Sequence, residues 1–314
     1  MDTILSVRDI RKTFGKVKAV DGVSFDVRRG SITGLLGRNG AGKTTTIRMI
    51  TGIFHPDTGS IEWDGSSSKN AQDRLGYLPE ERGLYKQMKV LEHLMFLAEI
   101  KSRKSPEVKD SAEKWLRRFE LWEKKDAKVE ELSKGNQQKV QLIGTLLHGP
   151  ELIILDEPMS GLDPVNVVLV RNIIRELRDE GMTILLSTHM MGEAEKLADQ
   201  IVLIHNGAIV LSGSIGEIKN REGENHVHVE FEGDGGFLSS VPGVEKATVY
   251  GSTAELLLAA DADSQAVLSD AMKRLKIRRF EIGAPSLEEI FIRKVGADSL
   301  APEEKEQLET EVVA

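Results

Sequence analysis

The sequence predicts an α/β protein followed by a smaller α+β domain, and three observations support this. A glycine-rich stretch at residues 37–45 lies between an apolar segment and a helix-forming one. Residues 152–155 form a continuous apolar run, which is typical of a strand buried on both faces of a parallel sheet. Beyond about residue 225, short alternating strands and two helices follow a polar linker, which indicates a separate module.

The composition indicates a globular protein without covalent cross-links. Of the 314 residues, 40% are hydrophobic and 29% are charged, and the length allows one large or two moderate domains. The absence of cysteine excludes disulfides and cysteine-based metal sites. Residues 1–12 lack the apolar core of a secretory signal, and no apolar run approaches the roughly 18 residues of a membrane span. We therefore expect a cytosolic protein that reaches a membrane only through a partner.

Negative charge is concentrated in the last residues of the sequence. Residues 297–314 hold six acidic residues and one lysine, so they contribute −5 of the net charge of −8 and leave about −3 for the rest. Such an acidic stretch is typical of a disordered tail. The nearly neutral body argues against nucleic acid as a partner.

The glycine-rich stretch fits the pattern Gly, four residues, Gly, Lys, Ser/Thr, which defines a phosphate-binding loop. Its residues are Gly37, Arg38, Asn39, Gly40, Ala41, Gly42, Lys43, Thr44 and Thr45. Glycine lets the backbone turn several N–H groups toward one anion, and the N-terminus of the following helix adds partial positive charge. Lys43 supplies a full charge for the β- and γ-phosphates, and the Thr44 hydroxyl is suited to bind Mg²⁺. The strand before the loop argues against the alternative, a glycine-rich turn without a ligand.

The segment before the loop predicts an antiparallel β subdomain. Apolar residues alternate in part over residues 4–29, with a turn expected at Asp21-Gly22. After the helix that follows the loop, short strands are expected over residues 60–64 and 75–79. These assignments surround the loop with β-structure on both sides.

A helical subdomain is expected over about residues 88–148. Apolar residues recur at helical spacing from Val90, a second pattern begins at Pro106, and a third helix is expected over residues 136–147. Lysine and glutamate cover the outer faces of the first two helices. Because strands are expected on both sides, these helices form an insertion in the α/β body.

The α/β pattern returns after this insertion and closes with a hairpin. A helix is expected from Pro164, a strand over residues 183–186 and a helix over 190–198. The hairpin covers residues 201–211 around Asn206-Gly207, a strong short turn signal. We therefore place the α/β body at residues 1–220.

The accessory module is expected over residues 221–296, with a linker at 221–225. Its predicted order is a strand, a hairpin around Gly251-Ser252, a helix, a strand and a last helix, in a ferredoxin-like arrangement. The acidic tail at residues 297–314 follows it.

Two adjacent carboxylates end the apolar run at residues 152–155. An aspartate at a strand end, here Asp156, is placed to hold Mg²⁺ through water. The neighbouring Glu157 is placed to orient or deprotonate an attacking water molecule. The alternative is a strand that ends in two solvated acids, and the phosphate-binding loop upstream argues against it.

The segment Leu-Ser-Lys-Gly-Asn-Gln-Gln, residues 132–138, begins a helix with Ser133 as its N-cap. It lies between the phosphate-binding loop and Asp156. Here the chain resembles the ATP-binding subunits of ABC transporters, whose signature is Leu-Ser-Gly-Gly-Gln; Ser133 and Gly135 are kept, whereas Lys134 and Asn136 depart from it. The resemblance covers about residues 4–220 and implies an ATPase with a P-loop NTPase core. It implies ATP and Mg²⁺ as cofactors.

The resemblance also implies roles for individual residues. Phe14 matches an aromatic residue that stacks on adenine, although tyrosine is more usual in the family. His189 matches the histidine that acts with Glu157 in hydrolysis. Glu80 stands where most members have a glutamine that senses Mg²⁺ and the attacking water, and a carboxylate there would attract the cation but also repel the γ-phosphate.

The family works as a dimer, which implies partners for this chain. The segment of residues 160–163 matches the one that connects the two sites of that dimer, and Ser133 and Gly135 would close over ATP on a second copy or a paralogue. A multi-span transmembrane permease subunit completes the transporter, which places the chain on the cytoplasmic face of the cell membrane. The module after residue 225 resembles the C-terminal extension of bacterial exporter ATPases of sodium-export and drug-resistance types.

Two other functions are compatible with the core motifs. One is a soluble ATPase of the same superfamily that acts on ribosomes or DNA, although such proteins usually carry two tandem domains or long coiled coils, and this sequence has neither. The other is a nucleotide-dependent regulator without transport. A co-purifying multi-span membrane protein would distinguish a transporter subunit from both.

Overall fold

The computed structural model describes residues 2–64, 74–81, 83–101, 106–222, 225–259, 261–283 and 285–295. It divides into two compact units after Ser214, slightly before the predicted domain boundary at residue 220. A helix, Ile215–Glu222, covers the first two residues of the linker predicted at 221–225. The predicted acidic tail, residues 297–314, lies outside the described residues.

The first unit contains strands on both sides of a helical segment, as predicted. Its strands are β1 (Thr3–Phe14), β2 (Val17–Arg28), β3 (Ile32–Leu36), β4 (Thr58–Trp63), β5 (Leu75–Leu78), β6 (Leu152–Asp156), β7 (Thr183–Thr188), β8 (Gln200–His205) and β9 (Ala208–Ser214). Its helices are α1 (Lys43–Ile50), α2 (Val90–Ile100), α3 (Pro106–Arg118), α4 (Lys134–Leu146), α5 (Pro164–Asp179) and α6 (Met191–Leu197).

An antiparallel sheet of order β2-β1-β4 precedes and follows the loop, which confirms the predicted β subdomain. The turn predicted at Asp21-Gly22 is wrong, because β2 continues through these residues and Asp21 pairs with Arg11 of β1. Gly22 has φ +80° and lies at a shift in the register between the two strands. The Asp-Gly signal therefore marks a β-bulge, and the chain reverses at Gly15 instead.

The central sheet has the order β5-β6-β7-β3-β8-β9, with β9 antiparallel to β8 and the other strands parallel. Every residue of β3, β6 and β7 is buried, which explains their continuous apolar runs. Because parallel strands end at the same edge of a sheet, the segments after β3, β5, β6 and β7 meet there. That edge carries the phosphate-binding loop and the predicted carboxylates.

The helices α2, α3 and α4 form the inserted subdomain between β5 and β6. Leu94 of α2, Leu116 of α3 and Val140 of α4 are fully buried, so the apolar faces predicted by helical spacing point inward. Helix α4 begins directly after Ser133, whose hydroxyl accepts a hydrogen bond from the backbone N–H of Asn136 at 3.3 Å. No helix in the described part of the chain is both long and apolar enough to span a membrane.

The second unit is a small α+β module, as predicted. Its elements are α7 (Ile215–Glu222), β10 (His226–Glu232), β11 (Val244–Tyr250), β12 (Thr253–Leu258), α8 (Ser264–Ala271), β13 (Lys276–Gly283) and α9 (Leu287–Val295). The strands form an antiparallel sheet of order β11-β12-β10-β13, the order of a ferredoxin-like fold, with a short 3-10 turn in place of its first helix. Alternate residues of β10, namely Val227, Val229 and Phe231, enter one apolar core with residues of β12 and α8.

Candidate nucleotide site

Three glycines shape the loop between β3 and α1. Gly37, Gly40 and Gly42 have backbone φ angles of +150°, +79° and +110°, which residues other than glycine rarely adopt. A Cβ atom on Gly37 would lie 2.3 Å from the carbonyl oxygen of Ile204, and one on Gly42 would lie 2.4 Å from that of Ala19. The loop can therefore pack this closely against its neighbours only with glycine at both positions.

Lys43 places a cation inside the loop. Its side chain is buried, and its Nζ donates to the carbonyl oxygens of Gly37 at 2.7 Å and Arg38 at 3.2 Å. As the first residue of α1, it adds a full charge to the partial positive charge of the helix N-terminus. This combination attracts an anion such as a phosphate group.

Asp156 has the properties of a metal ligand. It ends β6 without exposed surface, and neither carboxylate oxygen has a hydrogen-bond partner among the described residues. Burial raises the pKa of this carboxyl group, while the nearby hydroxyls of Ser187 and Thr44 oppose that shift. A buried carboxylate beside hydroxyl groups is a set of hard oxygen donors, which suits Mg²⁺. Among the described residues no three His, Cys, Asp or Glu side chains cluster as a metal site.

Glu157 lies between the ammonium group of Lys43 and the imidazole ring of His189. Its Oε1 is 3.5 Å from Lys43 Nζ, and its Oε2 is 3.0 Å from His189 Nδ1 and accepts a hydrogen bond from the Thr188 hydroxyl at 3.2 Å. Burial alone would raise the pKa of Glu157, but His189, Lys43 and Thr188 together lower it. The hydrogen bond to Glu157 raises the pKa of His189. The carboxylate is therefore ionised at neutral pH and its position is held by three side chains.

The backbone also holds Glu157 in place. Its φ of +52° is uncommon for a residue with a side chain and costs about 1–3 kcal/mol, so the surrounding contacts must support it. One of them is the hydrogen bond from its backbone N–H to the carbonyl oxygen of Ser187 at 2.9 Å. Because Asp156 pairs with Ser187 across the sheet, the ends of β6 and β7 bring Glu157 and His189 together.

A cavity of about 520 Å³ opens beside these groups. Most of the phosphate-binding loop lines it, together with Glu80 and Glu157. The other walls of the cavity are formed by Lys18 with its neighbours in β2, and by the Asn206-Gly207 turn. No site role was predicted from the sequence for either of these two segments. The sequence predicts only a hairpin turn at Asn206-Gly207. In the structure this turn lies against the phosphate-binding loop, because the backbone N–H of Gly207 donates to the carbonyl oxygen of Ala41 at 2.9 Å.

The structure does not bring every predicted site residue to this cavity. Phe14 is half-exposed at the end of β1 in edge contact with Phe54, at 5.5 Å between ring centroids, and does not line the cavity. Ser133 and Gly135 lie at the start of α4 and do not line it either. Within one chain, the site thus consists of the loop and the ends of β5, β6 and β7.

Comparison with known proteins defines the class to which this chain belongs. The ABC transporter family profile matches residues 20–160, and the profile of the C-terminal domain of DrrA1-3-like ATP-binding proteins matches residues 213–295. The uncharacterized ABC transporter ATP-binding protein YhaQ of Bacillus subtilis is 43% identical over 295 residues, which span 94% of this chain and 99% of YhaQ.

Two further proteins extend the comparison to function and structure. Nod factor export ATP-binding protein I of Ralstonia nicotianae is 37% identical over 223 residues, 70% of each chain. A solved structure described as the ADP conformation of MJ1267, an ATP-binding cassette of an ABC transporter, is 30% identical with a TM-score of 0.61 over 70% of this chain and 94% of MJ1267.

The chain therefore belongs to the family of ABC transporter ATP-binding proteins. It is the ATPase subunit that powers a transporter, and its α/β fold with a C-terminal α+β domain is confirmed. These comparisons give no support to a ribosome or DNA factor or to a regulator without transport.

Proposed function

We propose that this chain hydrolyses MgATP in the 520 Å³ cavity and powers an exporter through ATP-driven closure of a dimer. The observation that carries the proposal is the arrangement of Lys43, Glu157 and His189 at one edge of the sheet. It joins a phosphate-binding cation to an ionised carboxylate that is able to act on water.

ATP binds with its phosphates in the loop of residues 37–45. The backbone N–H groups and Lys43 neutralise the phosphate charge. Thr45, in the first turn of α1, lines the cavity beside them. The adenine extends toward β2 and the Asn206-Gly207 turn, which form the other walls of the cavity. Phe14, on the neighbouring strand, stacks on the base when it is bound.

Mg²⁺ would be held by Thr44, Asp156 and Glu80. The first two supply the hydroxyl and the buried carboxylate already described, and Glu80 lines the cavity at the end of β5. Glu80 already acts on the site through its charge, since it contributes to the raised pKa of both Asp156 and His189. When bound, the ion would neutralise charge on the β- and γ-phosphates.

Glu157 orients the attacking water and accepts its proton, and His189 holds Glu157 in position. The lowered pKa of Glu157 keeps it ionised, as a general base must be, although it makes the carboxylate a weak one. Phosphoryl transfer tolerates a weak base because its transition state is largely dissociative and positioning dominates the rate. Lys43 stabilises the charge that spreads over the phosphoryl oxygens.

A second chain completes the site. Ser133 and Gly135 lie at the N-terminus of α4, away from the cavity of their own chain, so they are available to contact the γ-phosphate held by a second copy or a paralogue. A multi-span permease subunit would hold the pair on the cytoplasmic face of the cell membrane, without nucleic acid as a partner. Export is the favoured direction because a relative is a Nod factor export protein and the C-terminal domain is DrrA-like.

The proposed nucleotide site is tested by Lys43→Ala. Because this substitution removes the buried ammonium group that the loop encloses, we expect ATP affinity to fall at least tenfold in a fluorescence binding titration. Lys114→Ala, on the exposed face of α3, is the matched control and should bind ATP as the wild type does. Unchanged affinity in the Lys43 variant would contradict the proposed site.

A further inference from the structure

Helix α4 contacts both loops that carry the carboxylates of the site. Gln138 and Gln141 lie one turn apart on one face of this helix and are only 4% and 7% exposed. The Nε2 of Gln138 donates to the carbonyl oxygen of Pro158 at 3.4 Å, directly after Glu157. The two amides therefore link one helix to the ends of both β5 and β6.

Gln141 makes its contacts on either side of Glu80. Its Nε2 donates to the carbonyl oxygens of Pro79 at 3.3 Å and Glu81 at 3.4 Å. The backbone of α4 runs close enough to β5 for this, because a Cβ atom on Gly76 would lie 2.6 Å from the carbonyl oxygen of Thr145. The side chain of Gln141 thus holds the backbone immediately before and after Glu80, which lines the cavity.

The cost of burying Gln141 points to positioning rather than to stability. Its Oε1 is buried and has no hydrogen-bond partner among the described residues. A buried acceptor without a partner costs free energy, which an apolar side chain of similar length would avoid. The cost of burying the Gln141 amide is offset by the hydrogen bonds that its Nε2 donates. Both acceptors of these bonds, the carbonyl oxygens of Pro79 and Glu81, flank Glu80.

The same helix begins at the predicted signature serine. Ser133 caps α4, and the eight residues from there to Gln141 span about 12 Å of rigid helix. A movement of the Ser133 end, as when it contacts a nucleotide on a second chain, therefore moves Gln141 as well. The carbonyl groups that flank Glu80 follow through their two hydrogen bonds.

We propose that Gln141 is a positioning residue that sets Glu80 in the nucleotide cavity and couples its position to that of Ser133. The proposal rests on the proposed ATPase site and on the contribution of Glu80 to it. Gln141 touches no reacting atom, so its effect on hydrolysis passes through Glu80.

The test is a double-mutant cycle on the full-length chain. ATP hydrolysis is measured against Mg²⁺ concentration for the wild type, Gln141→Met, Glu80→Ala and the double variant. We expect Gln141→Met to lower kcat about tenfold while it leaves the ATP Kd within about twofold, because only positioning is lost. In the Glu80→Ala background the same substitution should change kcat by less than about twofold. Thr145→Val is the matched control, since it removes a buried hydroxyl of α4 that donates to the backbone carbonyl oxygen of Gln141 at 3.0 Å, and it should keep the wild-type Mg²⁺ dependence.

Hydrogen exchange gives a second readout that does not depend on turnover. Exchange at the backbone amides of Glu80 and Glu81 should become faster in Gln141→Met and also in Gln141→Asn, whose shorter side chain cannot reach both carbonyl groups. Gln141→Asn keeps a polar side chain, so it serves if the methionine variant does not fold.

Two results would overturn the proposal. One is that Gln141→Met changes neither kcat, nor the Mg²⁺ dependence of hydrolysis, nor the rate of amide hydrogen exchange at Glu80. The other is a tenfold loss that persists in the Glu80→Ala background, which would show that Gln141 acts elsewhere. A wild-type chain that fails to bind ATP would instead refute the proposed function, and the exchange experiment keeps the two failures distinct.

Discussion

Glu157 shows how several contacts give one side chain a chemical role. Burial alone would favour the neutral acid, but the contacts of its two oxygens with Lys43, His189 and Thr188 outweigh it. The result is an ionised carboxylate in a buried site, oriented from three directions. For the neighbouring carboxyl group of Asp156 the balance is the opposite, because burial dominates and raises its pKa. Two carboxyl groups that are adjacent in sequence therefore have pKa values shifted in opposite directions, which is consistent with the different roles proposed for them.

Glu157→Gln should separate ATP binding from hydrolysis. The amide keeps the size of the side chain but cannot accept a proton, so we expect the hydrolysis rate to fall by about 10²-fold or more while the ATP Kd stays within a few-fold. The pKa of His189, measured by NMR titration, should fall because the hydrogen bond to an ionised carboxylate is lost.

Glu176→Gln is a suitable control for this prediction. Glu176 forms an ion pair with Arg118 on an exposed part of α5, outside the cavity, so the variant should hydrolyse ATP at the wild-type rate. A Glu157→Gln protein with wild-type turnover would mean that another group activates the water.

Local sequence predicted most elements of the site but not all of its walls. The loop of residues 37–45 was predictable because its backbone conformation requires glycine and its strand and helix are adjacent in sequence. The Asn206-Gly207 turn could not be assigned to the site, because its contact with Ala41 depends on how distant strands are ordered in the sheet. The turn predicted at Asp21-Gly22 was wrong because a glycine with positive φ occurs in a β-bulge as readily as in a turn.

In the accessory domain, β10, β12 and α9 bring together a group of ionisable side chains. Glu255 Oε1 lies 2.5 Å from His228 Nδ1, and Glu289 at the start of α9 is close to it. Burial raises the pKa of Glu255 to about 7; His228 opposes that shift and Glu289 adds to it. Lys246 and Tyr250 of β11 line the same hollow as Glu255. Sequence alone could not reveal this group, since His228, Glu255 and Glu289 lie on three elements that are separated along the chain and meet only in the folded module.

This group makes the stability of the β10–β12 pair depend on pH. The folded pKa of Glu255 lies above its ordinary value of 4.5, so its contribution is full below about pH 4.5 and is lost as the pH rises through about 7. We expect amide protection in β10 and β12, corrected for intrinsic exchange, to fall more in the wild type than in Glu255→Gln between pH 5.5 and 7.5. Glu245→Gln, at an exposed position of β11 that does not line this hollow, should follow the wild type. A difference between wild type and Glu255→Gln that does not change with pH would contradict this assignment.

At the scale of the whole molecule, the chain supplies the parts of a site but not all of them in one place. The loop, Glu157 and His189 meet at one edge of the central sheet, whereas Ser133 and Gly135 do not line the cavity. Membership of the ABC transporter ATP-binding family and the match over residues 213–295 explain the two-unit organisation. Composition and charge limited the class of protein, whereas the proposal of a second chain rests on the resemblance and on the position of Ser133.

The central claim is that two chains together enclose the bound ATP, and sedimentation velocity of the Glu157→Gln variant tests it most directly. Because hydrolysis is blocked, we expect this variant to shift from monomer to dimer when MgATP is added and to stay monomeric with MgADP. A second substitution, Ser133→Arg, should abolish the shift while the ATP Kd stays within a few-fold, since Ser133 lies outside the cavity of its own chain. A protein that is saturated with MgATP yet remains monomeric, or one that still dimerises with arginine at position 133, would contradict the account.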